Sequence, residues 1–394
     1  KDYEGEPVAT AQLTTPFRLC TSGATVFAPG VNLTDFSAIY QSVFTPAESG
    51  NVVFEFYSCG GTQLLVNGEE VKKFTNKHGS RGTSYGMYVE ANKPYKIEIK
   101  FQYFSGDAQL NFDLGFKRDA DIKSSVAKVK DADVVIFVGG ISPSLEGEEM
   151  GVDLEGFKRG DRTDIELPAV QRELIKALYN AGKKVVFVNC SGSPIGMEPE
   201  TKYCQAILQA WYPGQSGGKA VADVLFGDYN PAGRLPVTFY RNISQLPDFE
   251  DYNMAGRTYR YFKGDPLFPF GYGLSYTTFK YGNIQLPGTV TVGETVKVTV
   301  PVTNNGNYDG DEVVQLYLKK QDDTDGPNKT LRAFKRIHIP AGQTVNVELE
   351  LTPKQLEWWD NQTNTMRTMP GKFDIMIGNN SQNSNLQVQT IELK

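Results

Sequence analysis

The chain has 394 residues, of which 40% are hydrophobic and 22% are charged, so it can bury sizeable cores. Its net charge of −6 and the lack of a long basic run argue against nucleic acid or an anionic membrane surface as the main partner. No apolar stretch approaches the roughly 20 residues that span a bilayer, so we expect no membrane partner.

Residues 1–118 have the pattern of antiparallel β-structure. Apolar and polar residues alternate from Tyr95 to Phe101 and again from Leu110 to Leu114. The apolar run that ends at Val66 is followed by Asn67-Gly68, a strong signal for a two-residue hairpin. This spacing predicts an antiparallel sandwich.

Residues 119–282 change to a mixed pattern of helices and buried strands. An apolar helical face falls on Ile122, Val126 and Val129, and a second helix is predicted from near Pro168 to near Gly182. Strands are predicted at 134–138, 185–188 and 206–211, and a further short helix at 220–225. This alternation predicts an α/β layer.

Residues 283–394 return to a period of two. Strands are predicted at 296–300, 313–318, 345–351 and 373–377, which fits an immunoglobulin-like or fibronectin type III-like sandwich. We interpret Trp358 and Trp359 as packing residues of this sandwich.

The most informative segment is the acidic run from Leu145 to Met150, which follows the predicted strand at 134–138. It carries Glu146, Glu148 and Glu149 in a loop that contains Gly147. Loops at the carboxyl ends of such strands are where α/β folds keep their chemistry. A glutamate there can donate or accept a proton, although a solvated acidic loop is the simpler interpretation.

Few other residues suggest chemistry. The chain contains two histidines, His78 and His338, in unrelated contexts, so we expect no Ser–His or Cys–His catalytic pair. A disulfide between Cys20 and Cys59 is left open. No metal site is predicted, because the four cysteines lack the spacing of a zinc site: Cys20, Cys59, Cys190 and Cys204. No cofactor is predicted either.

Four glycine-rich or aromatic segments invite functional interpretations. The segment 212–220 fails as a phosphate-binding loop, since Pro213 occupies the first glycine position and Ala220 the Ser/Thr position. Ser191-Gly192-Ser193 is not a nucleophile elbow. The aromatic stretches 256–262 and 268–276 could hold sugars, but we expect them to fill a domain interface.

Several motifs in a fixed order carry a resemblance to a known family. Together they resemble the C-terminal half of glycoside hydrolase family 3 over residues 119–394, and most closely its β-xylosidase branch, with the β-glucosidase branch close behind. The motifs are Asp161–Pro168, Gln209–Gly214, Ala222–Gly227, Gly233–Phe239 and Phe268–Tyr276.

This resemblance implies a multidomain α/β plus all-β architecture. Residues 119–282 would form an (α/β)6-type sandwich with an aromatic linker, and 283–394 a fibronectin type III-like domain. Residues 1–118 resemble the protective-antigen-type β-sandwich inserted in some members, through the segment Ser58–Glu69. The sandwich would be incomplete at its N-terminus. Cys59-Gly60-Gly61 stands where calcium-dependent lectins of that class have adjacent aspartates.

The resemblance also implies a catalytic mechanism. The family hydrolyses terminal β-linked sugars with retention, and its Glu-x-Glu-Gly pattern selects Glu148 as the general acid/base, with Glu146 and Glu149 as alternates. Asp161 and Arg162 would tether the loop, or form an ordinary ion pair where the helix begins.

The nucleophile of the family lies on an N-terminal (β/α)8 barrel that has no counterpart in this sequence, so we expect the chain alone to be inactive. Its partners would be an oligosaccharide or glycoside substrate and that barrel. The substrate class suggests a periplasmic or extracellular location. The alternative is a non-catalytic carbohydrate-binding or scaffold chain.

Overall fold

The computed structural model describes residues 3–14, 17–143, 145–146, 152–159 and 161–394. Two compact units divide the chain between Ala120 and Asp121. Each has its own hydrophobic core; among the described residues, the first unit contains one core cluster and the second contains two.

The first unit is an antiparallel sheet of six strands. Its strands are β1 Arg18–Cys20, β2 Ser37–Phe44, β3 Gly50–Val66, β4 Glu69–Val89, β5 Tyr95–Gln102 and β6 Gln109–Phe116. The order is β1-β6-β3-β5-β2, with β4 paired to β3. The predicted hairpin is confirmed: Asn67 and Gly68 join β3 to β4 with φ angles of 53° and 87°, as a two-residue turn of type I′ requires.

Strand β3 changes its partner at Gly60. Before this residue it pairs with β6, and after it with β5. Gly60 has φ +143°, and a Cβ there would lie 2.5 Å from the ring of Phe101 and 2.9 Å from the carbonyl oxygen of Gln102. Only glycine fits this position, because the backbone of β3 passes so close to the core and to β5.

The four cysteines are free thiols. Cys20 and Cys59 each pair with Gln109, from opposite sides of β6. They are therefore separated by two strand spacings, about 9 to 10 Å. A disulfide needs Cα atoms closer than about 7 Å, so this register does not allow one.

The second unit begins with an α/β region. Its elements are α1 Ile122–Lys128, β7 Val134–Gly140, β8 Asp153–Leu154, β9 Phe157–Lys158, β10 Asp161–Arg162, α2 Ala169–Asn180, β11 Lys184–Cys190, α3 Glu198–Tyr203, β12 Ala206–Gln209, α4 Gly217–Phe226 and α5 Thr258–Tyr261. The order β12-β11-β7 forms a parallel sheet, and β8, β9 and β10 form a small antiparallel sheet. The predicted helices at 122–129, 168–182 and 220–225 are confirmed with small shifts of their ends. The strand predicted at 206–211 ends two residues early, because Trp211 has a left-handed backbone.

The C-terminal region is a β-sandwich. Its strands are β13 Phe279–Tyr281, β14 Thr289–Val290, β15 Val296–Asn304, β16 Gly310–Lys320, β17 Thr330–Ile339, β18 Thr344–Leu351, β19 Trp358–Asp360, β20 Thr365–Arg367, β21 Gly371–Gly378 and β22 Leu386–Leu393. Two sheets, of orders β13-β15-β18 and β14-β22-β21-β16-β17, supply one shared core. All four strands predicted here are confirmed.

The aromatic stretches 256–262 and 268–276 contact both the α/β core, through Phe268, and the sandwich, through Tyr259, as predicted. Tyr259 stacks on Phe270 at 4.4 Å between ring centroids and meets Tyr317 of β16 edge-on at 5.8 Å. Its hydroxyl accepts a hydrogen bond from the backbone N–H of Leu331. The prediction that both tryptophans are packing residues is confirmed for Trp358, which is buried. It is wrong for Trp359, which is about half exposed.

Candidate active site

The carboxyl ends of the three parallel strands converge on one edge of the sheet. After β7 comes the loop that reaches Glu146, after β11 the segment Ser191–Ser193, and after β12 the turn to Tyr212. The end of β7 is held by Gln171, whose amide donates to the carbonyl of Gly140 and accepts from its N–H, each at 2.7 Å. This is the edge at which we expect chemistry in an α/β fold.

Glu146 lies at the centre of this edge. Its Oε1 accepts a hydrogen bond from the hydroxyl of Ser193. Its Oε2 accepts from the hydroxyl of Tyr212 at 2.6 Å and from the N–H of Gly192 at 3.3 Å. The guanidinium Nη1 of Arg162 stands 3.9 Å from Oε1 in a largely buried ion pair. Both carboxylate oxygens therefore have donors.

Arg162 links the small hairpin to this carboxylate. Its Nη1 donates to the hydroxyl of Ser193 at 3.0 Å and to the carbonyl of Pro194 at 3.1 Å, and its Nε donates to the carbonyl of Asp164 at 3.0 Å. Burial lowers the pKa of Arg162, and the charge of Glu146 opposes that shift. An arginine stays protonated at neutral pH even when burial lowers its pKa. Arg162 therefore supplies a fixed positive charge beside Glu146.

The backbone around Glu146 allows its neighbouring side chains to approach closely. A Cβ on Gly192 would lie 2.5 Å from the ring of Tyr212 and 3.2 Å from Oε2 of Glu146. Trp211 has φ 57°, a strained value for a bulky residue, while its ring packs edge-on against Phe239 in the core. Burial, and then the hydrogen bond to Glu146, raise the pKa of Tyr212 to about 12, so its hydroxyl is a donor at neutral pH.

The structure brings together some of the residues predicted from sequence. Glu146 and Arg162 belong to one cluster. Asp161 is exposed on β10, where its backbone pairs with Lys158. Glu148 and Glu149 lie outside the described residues.

Sequence reasoning missed Ser193 and Tyr212. They lie in the two segments that fail as a nucleophile elbow and as a phosphate-binding loop. Gly192 was the signal that could have found them, since a glycine in the turn after a buried strand often marks a close approach of other groups.

The described residues offer neither a metal centre nor a membrane-spanning helix. Within them, no cluster of three or more His, Cys, Asp or Glu side chains is suited to a metal ion. None of their helices is both long and apolar enough to cross a membrane.

Comparison with known proteins gives the family. Residues 22–276 match the glycosyl hydrolase family 3 C-terminal domain, and residues 312–381 match the fibronectin type III-like domain. The chain belongs to glycoside hydrolase family 3.

Its relatives include named enzymes. A xylan 1,4-beta-xylosidase of Xylanibacter ruminicola is 52% identical over the whole chain, which covers 45% of that protein. A periplasmic beta-glucosidase of Salmonella typhimurium is 38% identical over 66% of the chain and 34% of its own length. The chain thus spans less than half the length of these relatives.

Solved structures share the fold. A beta-glucosidase from Kluyveromyces marxianus superposes with a TM-score of 0.74 at 23% identity, covering 91% of this chain and 44% of that one. This likeness concerns the fold alone.

Proposed function

We propose that the chain is the C-terminal portion of a retaining, exo-acting β-glycosidase that hydrolyses terminal β-linked sugars of plant-type oligosaccharides. The observation that carries this proposal is the position of Glu146, the first glutamate of the acidic run, at the carboxyl edge of the parallel sheet. Family membership supports the reaction class. The xylosidase relative, at 52% identity, favours xylose over glucose as the sugar removed.

In the proposed reaction, one carboxylate attacks the anomeric carbon and a second carboxylic acid protonates the departing oxygen. The same group then deprotonates the incoming water, and the sugar leaves with its configuration retained. Glu148 is our assignment for the acid/base, with Glu149 as the nearest alternate. The nucleophile would come from a (β/α)8 barrel portion outside residues 1–394.

The finer architecture is part of the proposal. Residues 1–118 would be the protective-antigen-type sandwich, 119–282 the (α/β)6-type domain with its linker, and 283–394 the fibronectin type III-like domain. Antiparallel pairing throughout the first unit supports the first assignment, and the parallel sheet supports the second. The relative named as periplasmic supports a periplasmic or extracellular location.

The test replaces Glu148 by Ala in the enzyme that contains this chain. Turnover of aryl β-xylosides with poor leaving groups should fall about 10²- to 10⁴-fold, the usual contribution of a general acid. Activated dinitrophenyl substrates should lose far less at the glycosylation step, because their leaving groups need no proton. Azide should restore turnover and yield the β-xylosyl azide.

The matched control is Glu155→Ala, which removes an exposed glutamate from the turn between β8 and β9 and should leave turnover unchanged. Unchanged turnover of Glu148→Ala would remove the assignment, and azide rescue of Glu149→Ala would move it there. Residues 1–394 alone should not turn over aryl glycosides. Turnover by that chain would show that both carboxylates lie within it.

A further inference from the structure

Glu146 is surrounded by donors in a way that does not suit a proton donor. Ser193 and Tyr212 are hydroxyls that point their protons at the carboxylate, and the N–H of Gly192 does the same. A carboxylic acid in this place would have to turn its own proton toward one of these donors. The surroundings therefore match an acceptor-only carboxylate with a guanidinium beside it.

The cluster is built from four separate parts of the chain. Arg162 comes from β10, Ser193 from the segment after β11, and Tyr212 from the turn after β12. The Ser193 hydroxyl accepts from Arg162 and donates to Glu146, so it relays the contact between them. Glu146 is also held through its backbone, since its N–H donates to the carbonyl of Ser142 at 3.2 Å.

We propose that Glu146 is a positioning residue which, with Arg162, Ser193 and Tyr212, fixes the start of the acidic loop for the residue that transfers the proton. This inference rests on the proposed function and deepens it. Glu148 follows Glu146 by two positions in sequence, so anchoring Glu146 restricts where the acid can go. Such restriction matters, because a misplacement of about 1 Å at a reacting group can cost 10² in rate.

The first test is kinetic and uses the enzyme that contains this chain. Glu146→Gln should lower kcat/KM by up to about 100-fold for substrates with poor leaving groups. Activated dinitrophenyl substrates should lose less, because the variant acts by displacing the acid and their leaving groups need no proton. Azide should not rescue it, and the shape of the pH profile should stay that of the wild type. Tyr212→Phe should lower kcat roughly 2- to 10-fold, as the loss of one hydrogen bond predicts.

The second test disturbs the cluster without removing any of its hydrogen-bonding side chains. Gly192→Ala adds a methyl group 2.5 Å from the Tyr212 ring, and it should reproduce the kinetic effect of Glu146→Gln. Gly214→Ala is the matched control: it lies two residues after Tyr212, has no atom within 4 Å of an added Cβ, and should behave as the wild type.

The third measurement does not depend on activity. Hydrogen–deuterium exchange of peptides that span Glu146 should be faster in Gly192→Ala than in Gly214→Ala. If the wild-type enzyme turned over no aryl glycoside, the proposed function would fail, and this comparison would still decide whether the cluster anchors the loop. Equal exchange in the two glycine variants would overturn the anchoring.

Two kinetic outcomes would also overturn the inference. If azide rescued Glu146→Ala and the alkaline limb of its pH profile were lost, Glu146 would be the acid/base itself. A lower Tm for Glu146→Gln with wild-type kcat and KM would reduce the cluster to a purely structural role.

Discussion

The parallel sheet and the C-terminal sandwich belong to the same compact unit, yet their apolar strands differ in exposure. In β15 of the sandwich, Val296, Val298, Val300 and Val302 are fully buried. In β7 of the parallel sheet, alternate residues from Val134 to Val138 are between 45 and 64% exposed. By sequence, both strands are apolar enough to be predicted as parts of a buried core. The difference shows that burial is decided by what packs on each face of a strand, and composition alone does not report it.

The two regions are joined by a buried ion pair. Arg234, between α4 and α5 of the α/β region, lies 3.0 Å from Glu312 of β16, and both are almost completely buried. Burial raises the pKa of Glu312, and the charge of Arg234 opposes that shift. Tyr281 donates a further hydrogen bond to Glu312 at 3.1 Å.

The largest expected effect comes from breaking this pair. Arg234→Met should lower the free energy of unfolding by about 3–5 kcal/mol, because Glu312 would stay buried without its cation. Urea denaturation of the complete protein would measure it. Lys297→Met, which removes an exposed pair with Glu350, should change the free energy by less than about 1 kcal/mol. If both variants lost a similar free energy of unfolding, burial of the Arg234–Glu312 pair would not explain its contribution to stability.

A second change sharpens the comparison of the strands themselves. Leu316→Ala, in the fully buried core of the sandwich, should cost about 2–5 kcal/mol, since it leaves a cavity in a packed interior. Val138→Ala removes an apolar side chain that is 64% exposed, and it should stay within about 0.5 kcal/mol of the wild type. A cost for Val138→Ala as large as that for Leu316→Ala would show that the exposed face of β7 is covered in the complete protein.

The smallest expected effect depends on pH and concerns Lys329 alone. Lys329 is buried, and its Nζ donates to the carbonyl of Ser381 and to the side chain of Asn383. Burial lowers its pKa from 10.5 to about 8. Between these values the unfolded chain holds a proton that the folded protein has lost, so stability should rise with pH across this window, by up to about 3 kcal/mol.

Lys329→Met should flatten this rise, while the rest of the stability curve keeps its shape. Urea midpoints of the two proteins at pH 7.5, 9 and 10.5 would show it. If stability instead fell in the wild type relative to the variant across this range, the charged form of Lys329 would be favoured by folding.

Much of the local structure follows from the sequence because its causes are local. Asn67-Gly68 supplies the two left-handed residues of a hairpin, and Pro168 and Gly182 bracket helix α2. The failure at Trp358 and Trp359 has an equally simple cause. Successive side chains of a strand point to opposite faces, so only one of the two could enter the core.

The sequence by itself determined the strands and helices that were predicted from it, the family resemblance and the acidic run as a candidate site. Only the tertiary structure decided what surrounds Glu146, because Ser193 and Tyr212 lie 47 and 66 residues away in the chain. They meet it because parallel pairing brings the ends of β7, β11 and β12 to one edge, and Gly192 leaves room for the contact. Periodicity reports the conformation of neighbouring residues, and it carries no information about which distant strand ends become neighbours in space.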